Sequence, residues 1–218
     1  MSEGLSQTFL QTGPADAPAR FLCAHGAGAG METPFLKTFA DLLAERGIAT
    51  LRFEFAYMAA RRSGSSQGTR KPPPKAERLI DEYRAAIAAA GQGAPLIVGG
   101  KSMGGRVASL LADETHAAGR IAGLVCLGYP FHPPNQPAKL RTAHLEGLAC
   151  PTLIVQGERD PFGPRAEVEA MRLSPAIRYH WAGDGDHDLG PRGGSGFTRK
   201  GNLAAAADAV AAFVKDLG

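Results

Sequence analysis

Gly100-Lys101-Ser102-Met103-Gly104 has the G-x-S-x-G spacing of a nucleophile turn, and it stands where such a turn must stand. The apolar run Pro95-Leu96-Ile97-Val98 precedes it, and a segment of helical period follows. A strand that reverses sharply into a helix forces its turn residue into a strained backbone conformation, and only small neighbours such as Gly100 and Gly104 let the adjoining chain approach. Ser102 would then project above the carboxyl edge of a sheet, and the Met103 N–H, at the helix start, could donate to an oxyanion formed on an attacked carbonyl. A second donor is expected from a loop behind an earlier strand. His25-Gly26-Ala27-Gly28-Ala29-Gly30 occupies that place behind Phe21-Leu22-Cys23-Ala24, with the Ala27 amide the first choice and Gly28 the second. His25 reads as a brace for this loop.

A serine hydroxyl is a poor nucleophile at neutral pH, so a histidine must accept its proton and a carboxylate must hold that histidine in the right tautomer. For a turn of this kind the chain order is serine, acid, histidine, with the acid behind a later strand and the histidine behind the last. Thr152-Leu153-Ile154-Val155-Gln156-Gly157-Glu158-Arg159-Asp160 puts Asp160 in the first slot, and Gly183-Asp184-Gly185-Asp186-His187 puts His187 in the second. Glu158 is a rival acid; His132, His144 and His180 are rival bases, but none of the three follows the last strand.

Other chemistries fit less well. A phosphate-binding G-x-x-x-x-G-K-[ST] loop ending at Ser102 would need glycine where Pro95 stands, and a G-x-G-x-x-G loop starting at Gly26 would need glycine in place of Met31. The Asp184-Asp186-Asp188 run could suggest a metal, yet closely spaced carboxylates in a glycine-rich turn also serve local hydrogen bonds, and no second histidine at helical spacing or C-x-x-C pair supports a metal. No metal and no cofactor is expected. Cys23, Cys126 and Cys150 lie in or beside apolar runs and read as reduced core thiols.

The elements that must position these groups alternate. Six strand-length apolar runs, at 20–24, 49–53, 95–98, 121–127, 152–155 and 176–181, are separated by helical segments at 34–46, 75–90, 103–112 and 165–172, with a last helix at 203–217. That is the pattern of a mostly parallel doubly wound α/β sheet with helices on both faces. Thr33 before Pro34 is a helix start, Gly47 and Gly91 are helix ends, and Asn202 is placed to cap the last helix. A segment at 7–12 is a candidate antiparallel edge strand, and 129–150, rich in proline, reads as loop with one short helix at 142–147. With 218 residues, 44% hydrophobic and 21% charged, the chain is expected to form a single domain over 1–218.

No basic start leads into an apolar run, and no window offers the ~20 apolar residues of a spanning helix, so a cytoplasmic protein without membrane partners is expected. The net charge of +3 does not imply nucleic acid. Arg61, Arg62, Arg70, Lys71 and Lys75 crowd one stretch with Pro72, Pro73 and Pro74, but no interleaved aromatic side chains are there to stack bases.

His25-Gly26-Ala27-Gly28, Gly99-Gly100-Lys101-Ser102-Met103-Gly104-Gly105-Arg106, Leu127-Gly128-Tyr129-Pro130-Phe131-His132 and Gln156-Gly157-Glu158-Arg159-Asp160-Pro161-Phe162-Gly163 together resemble the α/β-hydrolase superfamily. Within it the chain is similar to small hydrolases related to dienelactone-hydrolase-like and testis-expressed α/β-hydrolase-like proteins, although dienelactone hydrolases proper carry cysteine where this chain has Ser102. The resemblance implies a minimal fold without a cap domain and a cofactor-free serine hydrolase acting on a carboxylic ester, thioester or activated amide of a small molecule. The other reading is a catalytically idle scaffold that binds a partner. Because the connection from Leu127 to Thr152 is too short for a helical cap, an open site is expected. Tyr129, Phe131 and His132 would form its rim, while Arg61 and Arg62 would draw in an anionic substrate.

Overall fold

The computed structural model describes residues 8–64 and 72–217, so Gln7 of the expected edge strand and Arg70 and Lys71 of the basic stretch lie outside the described residues. The strands are β1 Leu10–Thr12, β2 Ala19–Ala24, β3 Ile48–Phe53, β4 Leu96–Lys101, β5 Gly123–Leu127, β6 Thr152–Gly157 and β7 Ile177–Ala182. They form one sheet in the order β1-β3-β2-β4-β5-β6-β7, parallel throughout except for β1, which pairs antiparallel with β3. β4 sits at the centre of this order and ends at Lys101, so Ser102 leaves the sheet at its middle.

Alternation along the strands explains the two packed faces. Leu22 and Ala24 of β2 face α3 (Ile80–Ala89) and α4 (Met103–Ala117), whose Tyr83, Ala86, Val107 and Leu111 join one core. Phe21 and Cys23 face the other way, toward α1 (Pro34–Ala44) and α6 (Arg199–Asp216), whose Phe39, Leu43, Val210 and Phe213 join the second. All three cysteines are free and buried, as their apolar setting implies.

Thr33 caps α1, its hydroxyl accepting from the Leu36 amide at 3.4 Å. Three expectations need correction. A helix, α2 (Ala56–Arg62), occupies a segment before the proline run for which no element is expected; its period was hidden because it is barely two turns long, with Met58 its one buried residue. The last helix starts earlier than expected, at Arg199, with Thr198 accepting from the Gly201 amide. Asn202 therefore lies inside α6 and does not cap it. The short helix in the β5–β6 connection is a single 3₁₀ turn at Ala143–Leu145, and α5 (Arg165–Glu169) follows β6. Among the described residues no helix is long and apolar enough to cross a membrane.

Candidate active site

Ser102 has φ 50° and ψ −113°, a conformation that non-glycine residues rarely adopt and that costs roughly 1–3 kcal/mol. Its amide donates to the Leu127 carbonyl at 2.9 Å, which ties the turn to the end of β5. The helix behind it can begin so close to β2 only because residue 104 is glycine. A Cβ there would stand 2.6 Å from the Ala24 carbonyl oxygen and 2.7 Å from that of His25. That close approach brings the glycine loop alongside the serine. Strain concentrates here: of the four non-glycine residues with positive φ among those described, Ser102 forms the turn, and Asp184 and Leu189 flank His187.

Asp160 and His187 meet. The imidazole Nδ1 lies 2.7 Å from Asp160 Oδ2, and Asp160 is fully buried. The same carboxylate accepts from Gln156 Nε2 at 2.9 Å and, through Oδ1, from the Phe162 amide at 2.9 Å. A carboxylate held by three donors stays aimed, and a partner of this kind places the histidine proton on Nδ1, leaving Nε2 as the acceptor. The rivals are engaged elsewhere. Glu158 pairs with Arg165 at 3.1 Å and accepts from the Asp184 amide; His132 faces Glu167, His144 faces Ser109, and His180 stands within β7.

Ser102 and His187 line one cleft of about 460 Å³ at the carboxyl ends of the strands. Gly26, Ala27, Gly28 and Ala29 form one wall, Phe35 and Phe162 supply apolar surface, and Lys101, Asp188 and Arg199 supply charge. The Phe162 ring lies 4.4 Å from that of His187, centroid to centroid. The carboxylate–imidazole bond is made, whereas Ser102 Oγ and the imidazole face the cleft without a hydrogen bond between them. A larger apolar depression of about 550 Å³ lies at the opposite edge of the sheet, beside Ala19, Ile48 and Pro95, and holds none of these groups.

His25 braces the glycine loop. Its Nε2 accepts from the Phe55 amide at 3.2 Å, so Nδ1 carries the proton and donates to the Gly26 carbonyl at 2.7 Å. Burial holds His25 below the usual histidine range, which favours this neutral form. Tyr57 also donates to the Gly26 and Ala27 carbonyls, at 3.3 and 3.1 Å. In a trans peptide the N–H points opposite the preceding C=O, so the Ala27 and Gly28 amides are turned away from Tyr57.

The expected rim is not where the structure puts it. Tyr129, Phe131 and His132 are buried, because the β5–β6 connection folds down onto the core. Gln156 stitches Tyr129 to the sheet through both the Tyr129 amide and carbonyl. The Tyr129 and Phe131 rings pack edge to face at 4.9 Å, and His132 Nε2 meets Glu167 at 3.0 Å. Arg61 and Arg62 line a neighbouring groove with Gly30, Glu54 and Met58, which shares Gly28, Ala29 and Thr33 with the cleft. Arg62 pairs there with Glu54 at 3.0 Å, and the Arg61 guanidinium lies 5.0 Å from the Tyr57 ring centre.

The carboxylates around His187 serve the turn. Asp186 accepts from the Asp188 and Gly190 amides, and Asp184 binds Arg192 through side chain and backbone, which holds its carboxyl low, at about 2. Asn202, read from sequence as a cap, instead crosses beneath this loop. Its Nδ2 donates to the Gly183 carbonyl at 3.0 Å and the Leu189 carbonyl at 2.9 Å, gripping both sides of His187. Asn202→Ala leaves both carbonyls without this donor in a buried place, and we expect a loss of about 1–3 kcal/mol of unfolding free energy in urea denaturation. An unchanged midpoint would mean that the loop is held by other contacts. A polar residue at the head of an apolar helical segment reads as a cap, and nothing in the residue types points to this role. Phe35 and Phe162 could have been found by their places just behind the glycine loop and Asp160.

The match to a model of the alpha/beta hydrolase domain runs from residue 17 to 215. Among solved structures, a dienelactone hydrolase from Anabaena variabilis is 19% identical with a TM-score of 0.70, covering 97% of this chain and 98% of its own. An alpha-beta serine hydrolase homologue from Coxiella burnetii is 18% identical with a TM-score of 0.66 over 100% of both chains. A Xanthomonas campestris protein described as a serine hydrolase without lid is 18% identical with a TM-score of 0.63, covering 97% and 95%. At these identities the structures speak to the fold, and the domain match to descent: this chain belongs to the α/β-hydrolase family.

Proposed function

We propose that the protein is a serine hydrolase that cleaves short-chain carboxylic esters, or chemically similar thioesters and activated amides, through an acyl-enzyme on Ser102. The observation that carries this reading is the 2.7 Å contact between His187 Nδ1 and the fully buried Asp160, facing the same cleft as a strained Ser102. A turn that only connected a strand to a helix would have no need of that conformation.

His187 Nε2 takes the proton from Ser102 Oγ as the oxygen attacks the substrate carbonyl; the imidazolium is stabilised by Asp160 and then protonates the leaving alcohol. The hydroxyl–imidazole bond closes as substrate enters, since such bonds are often loose in the free enzyme. The tetrahedral oxyanion is met by the Met103 amide, at the open start of α4, and by the Ala27 amide, with Gly28 beside it. The turning of the Gly26 and Ala27 carbonyls toward Tyr57 supports these donors. A second water-driven passage through the same states releases the acid.

The inward fold of the β5–β6 connection supports an open, shallow site, and with it a preference for short acyl chains. A series of p-nitrophenyl esters tests this: kcat/KM is expected to peak at short chains and to show no jump at the solubility limit. A maximum at long-chain lipid would contradict it.

The groove holding Arg61 and Arg62 opens beside the glycine loop and supports an anionic group on the substrate's distal end. At low salt an ester with a free carboxylate is expected to have a KM about two- to fivefold below that of its neutral isostere, the scale of exposed charge pairing. Arg61→Ala and Arg62→Ala are expected to remove the difference. Equal KM values in the unmutated protein would sink the anion preference and leave the ester reading standing.

A further inference from the structure

One cation beside the serine turn has no part in the acyl transfer set out above. Lys101 is the last residue of β4, its backbone paired with Leu127, and it is the immediate neighbour of Ser102. Its side chain leaves the strand for the histidine loop. Nζ donates to the His187 carbonyl at 2.8 Å and pairs with Asp188 Oδ1 at 3.2 Å, and it lies 5.4 Å from the centre of the Phe35 ring on α1. Lys101 is only 8% exposed.

The place for this contact is built into the neighbouring strand end. Gly128, with φ 67°, follows β5 directly beneath it, and a Cβ there would stand 3.0 Å from the His187 carbonyl oxygen, 3.2 Å from Lys101 Nζ and 3.3 Å from His187 Cε1. A side chain there would crowd the ammonium and the carbonyl, and at this φ its backbone would be strained. A buried ammonium is also costly: burial pushes Lys101 below the usual lysine range, and Asp188 offsets only part of that. An apolar side chain of the same length would avoid the cost, so the charge is explained by what it holds.

The other restraints on the histidine act elsewhere. Asp160 holds the ring at Nδ1, and Asn202 holds the loop at residues 183 and 189. Among the described residues, Lys101 supplies the side-chain hydrogen bond to the main chain of His187 itself. We propose that Lys101 is a positioning residue, whose ammonium fixes the His187 backbone to the strand end that carries Ser102, so that nucleophile and base keep their separation as one unit. This rests on the serine-hydrolase reading. It predicts an effect on turnover and none on substrate affinity, because the ammonium is spent on the protein's own carbonyl and carboxylate.

Lys101→Met, of similar volume, is expected to lower kcat about 10²-fold with KM within about twofold, the scale of a misplacement near 1 Å. A sharper comparison uses Lys101→Cys in the full chain. Alkylation with 2-bromoethylamine forms a C–S bond, expels bromide and releases the thiol proton to buffer, rebuilding an ammonium on a side chain of lysine's length. Alkylation with 1-bromopropane gives the same length without charge. Position 101 lines the cleft, whereas Cys23, Cys126 and Cys150 are buried away from it and burial pushes Cys23 and Cys150 up to about 12; mass spectrometry verifies a single adduct.

The aminoethyl adduct is expected to exceed the propyl adduct in kcat by at least about tenfold at equal KM. Because the two share one polypeptide, a folding defect in Lys101→Met does not blur the comparison. Equal kcat for the two adducts overturns the proposal, as does a difference carried by KM, which would make Lys101 a substrate ligand. The two readings fail separately. If the unmutated protein hydrolyses no ester and Ser102 takes no fluorophosphonate, the hydrolase reading falls and takes this one with it. If the unmutated protein is reactive and the adducts are equal, only the Lys101 assignment falls.

Discussion

Asp160→Asn is expected to lower kcat by about 10⁴-fold while leaving the fold intact, and Glu158→Gln to leave kcat within about twofold. The asymmetry follows from the partners. Asp160 Oδ2 faces His187 Nδ1 at 2.7 Å, and an amide in that place can present its N–H to the ring. The histidine then turns to the tautomer whose proton sits on Nε2, where it can no longer accept one from Ser102. The Phe162 amide still donates to the remaining oxygen, while Gln156 Nε2 loses this acceptor but keeps the Tyr129 and Gly163 carbonyls, so the loop keeps most of its anchorage. Glu158 pairs with Arg165 and the Asp184 amide, and glutamine in its place keeps an oxygen for that amide and loses only the exposed charge pair. Steady-state kinetics on a short ester decides the matter, and the opposite ranking would move the acid to Glu158.

Ser102→Ala and His187→Ala are each expected to remove about 10⁴- to 10⁶-fold of kcat, and the double variant to lose little more than either alone. Non-additivity is the mark of groups that act as one unit: without the oxygen there is nothing for the base to activate, and without the base the hydroxyl stays protonated. Both variants are expected to fold. Ser102→Ala keeps the turn's volume small, and His187→Ala leaves Asp160 with its Gln156 and Phe162 donors, so no carboxylate is stranded in the core. Losses that simply multiplied in the double variant would mean that the two residues act separately.

The central strands were legible in the sequence because strands buried on both faces are continuous apolar runs, and Ser102, Asp160 and His187 were legible because each follows a strand candidate at its carboxyl end. The edges were less so. The three-residue β1 carries little pattern, and α2 is too short for its period to stand out. The rim was misread for a different reason. Tyr129, Phe131 and His132 follow β5 as Phe162 follows β6, and sequence cannot tell which of two aromatic loops folds inward. That is settled by Gln156, whose amide reaches across from β6 to fasten Tyr129, a tertiary bond with no local signature. Lys101 and Asn202 were hidden likewise: each reaches backbone carbonyls of the histidine loop, and carbonyls leave no trace in residue types.

An activated Ser102 is the claim on which the rest depends, and a fluorophosphonate tests it without knowledge of the natural substrate. Such a probe reacts with a serine whose proton is taken by a neighbouring base and whose tetrahedral adduct is met by amide donors, so it reports the assembled site and not the residue alone. Purified protein treated with the probe and digested for mass spectrometry is expected to carry one adduct, on the peptide containing Ser102, absent in Ser102→Ala and strongly slowed in His187→Ala. Well-folded protein that takes no label at Ser102 would contradict the account and favour a scaffold that has kept the fold of a hydrolase without its chemistry.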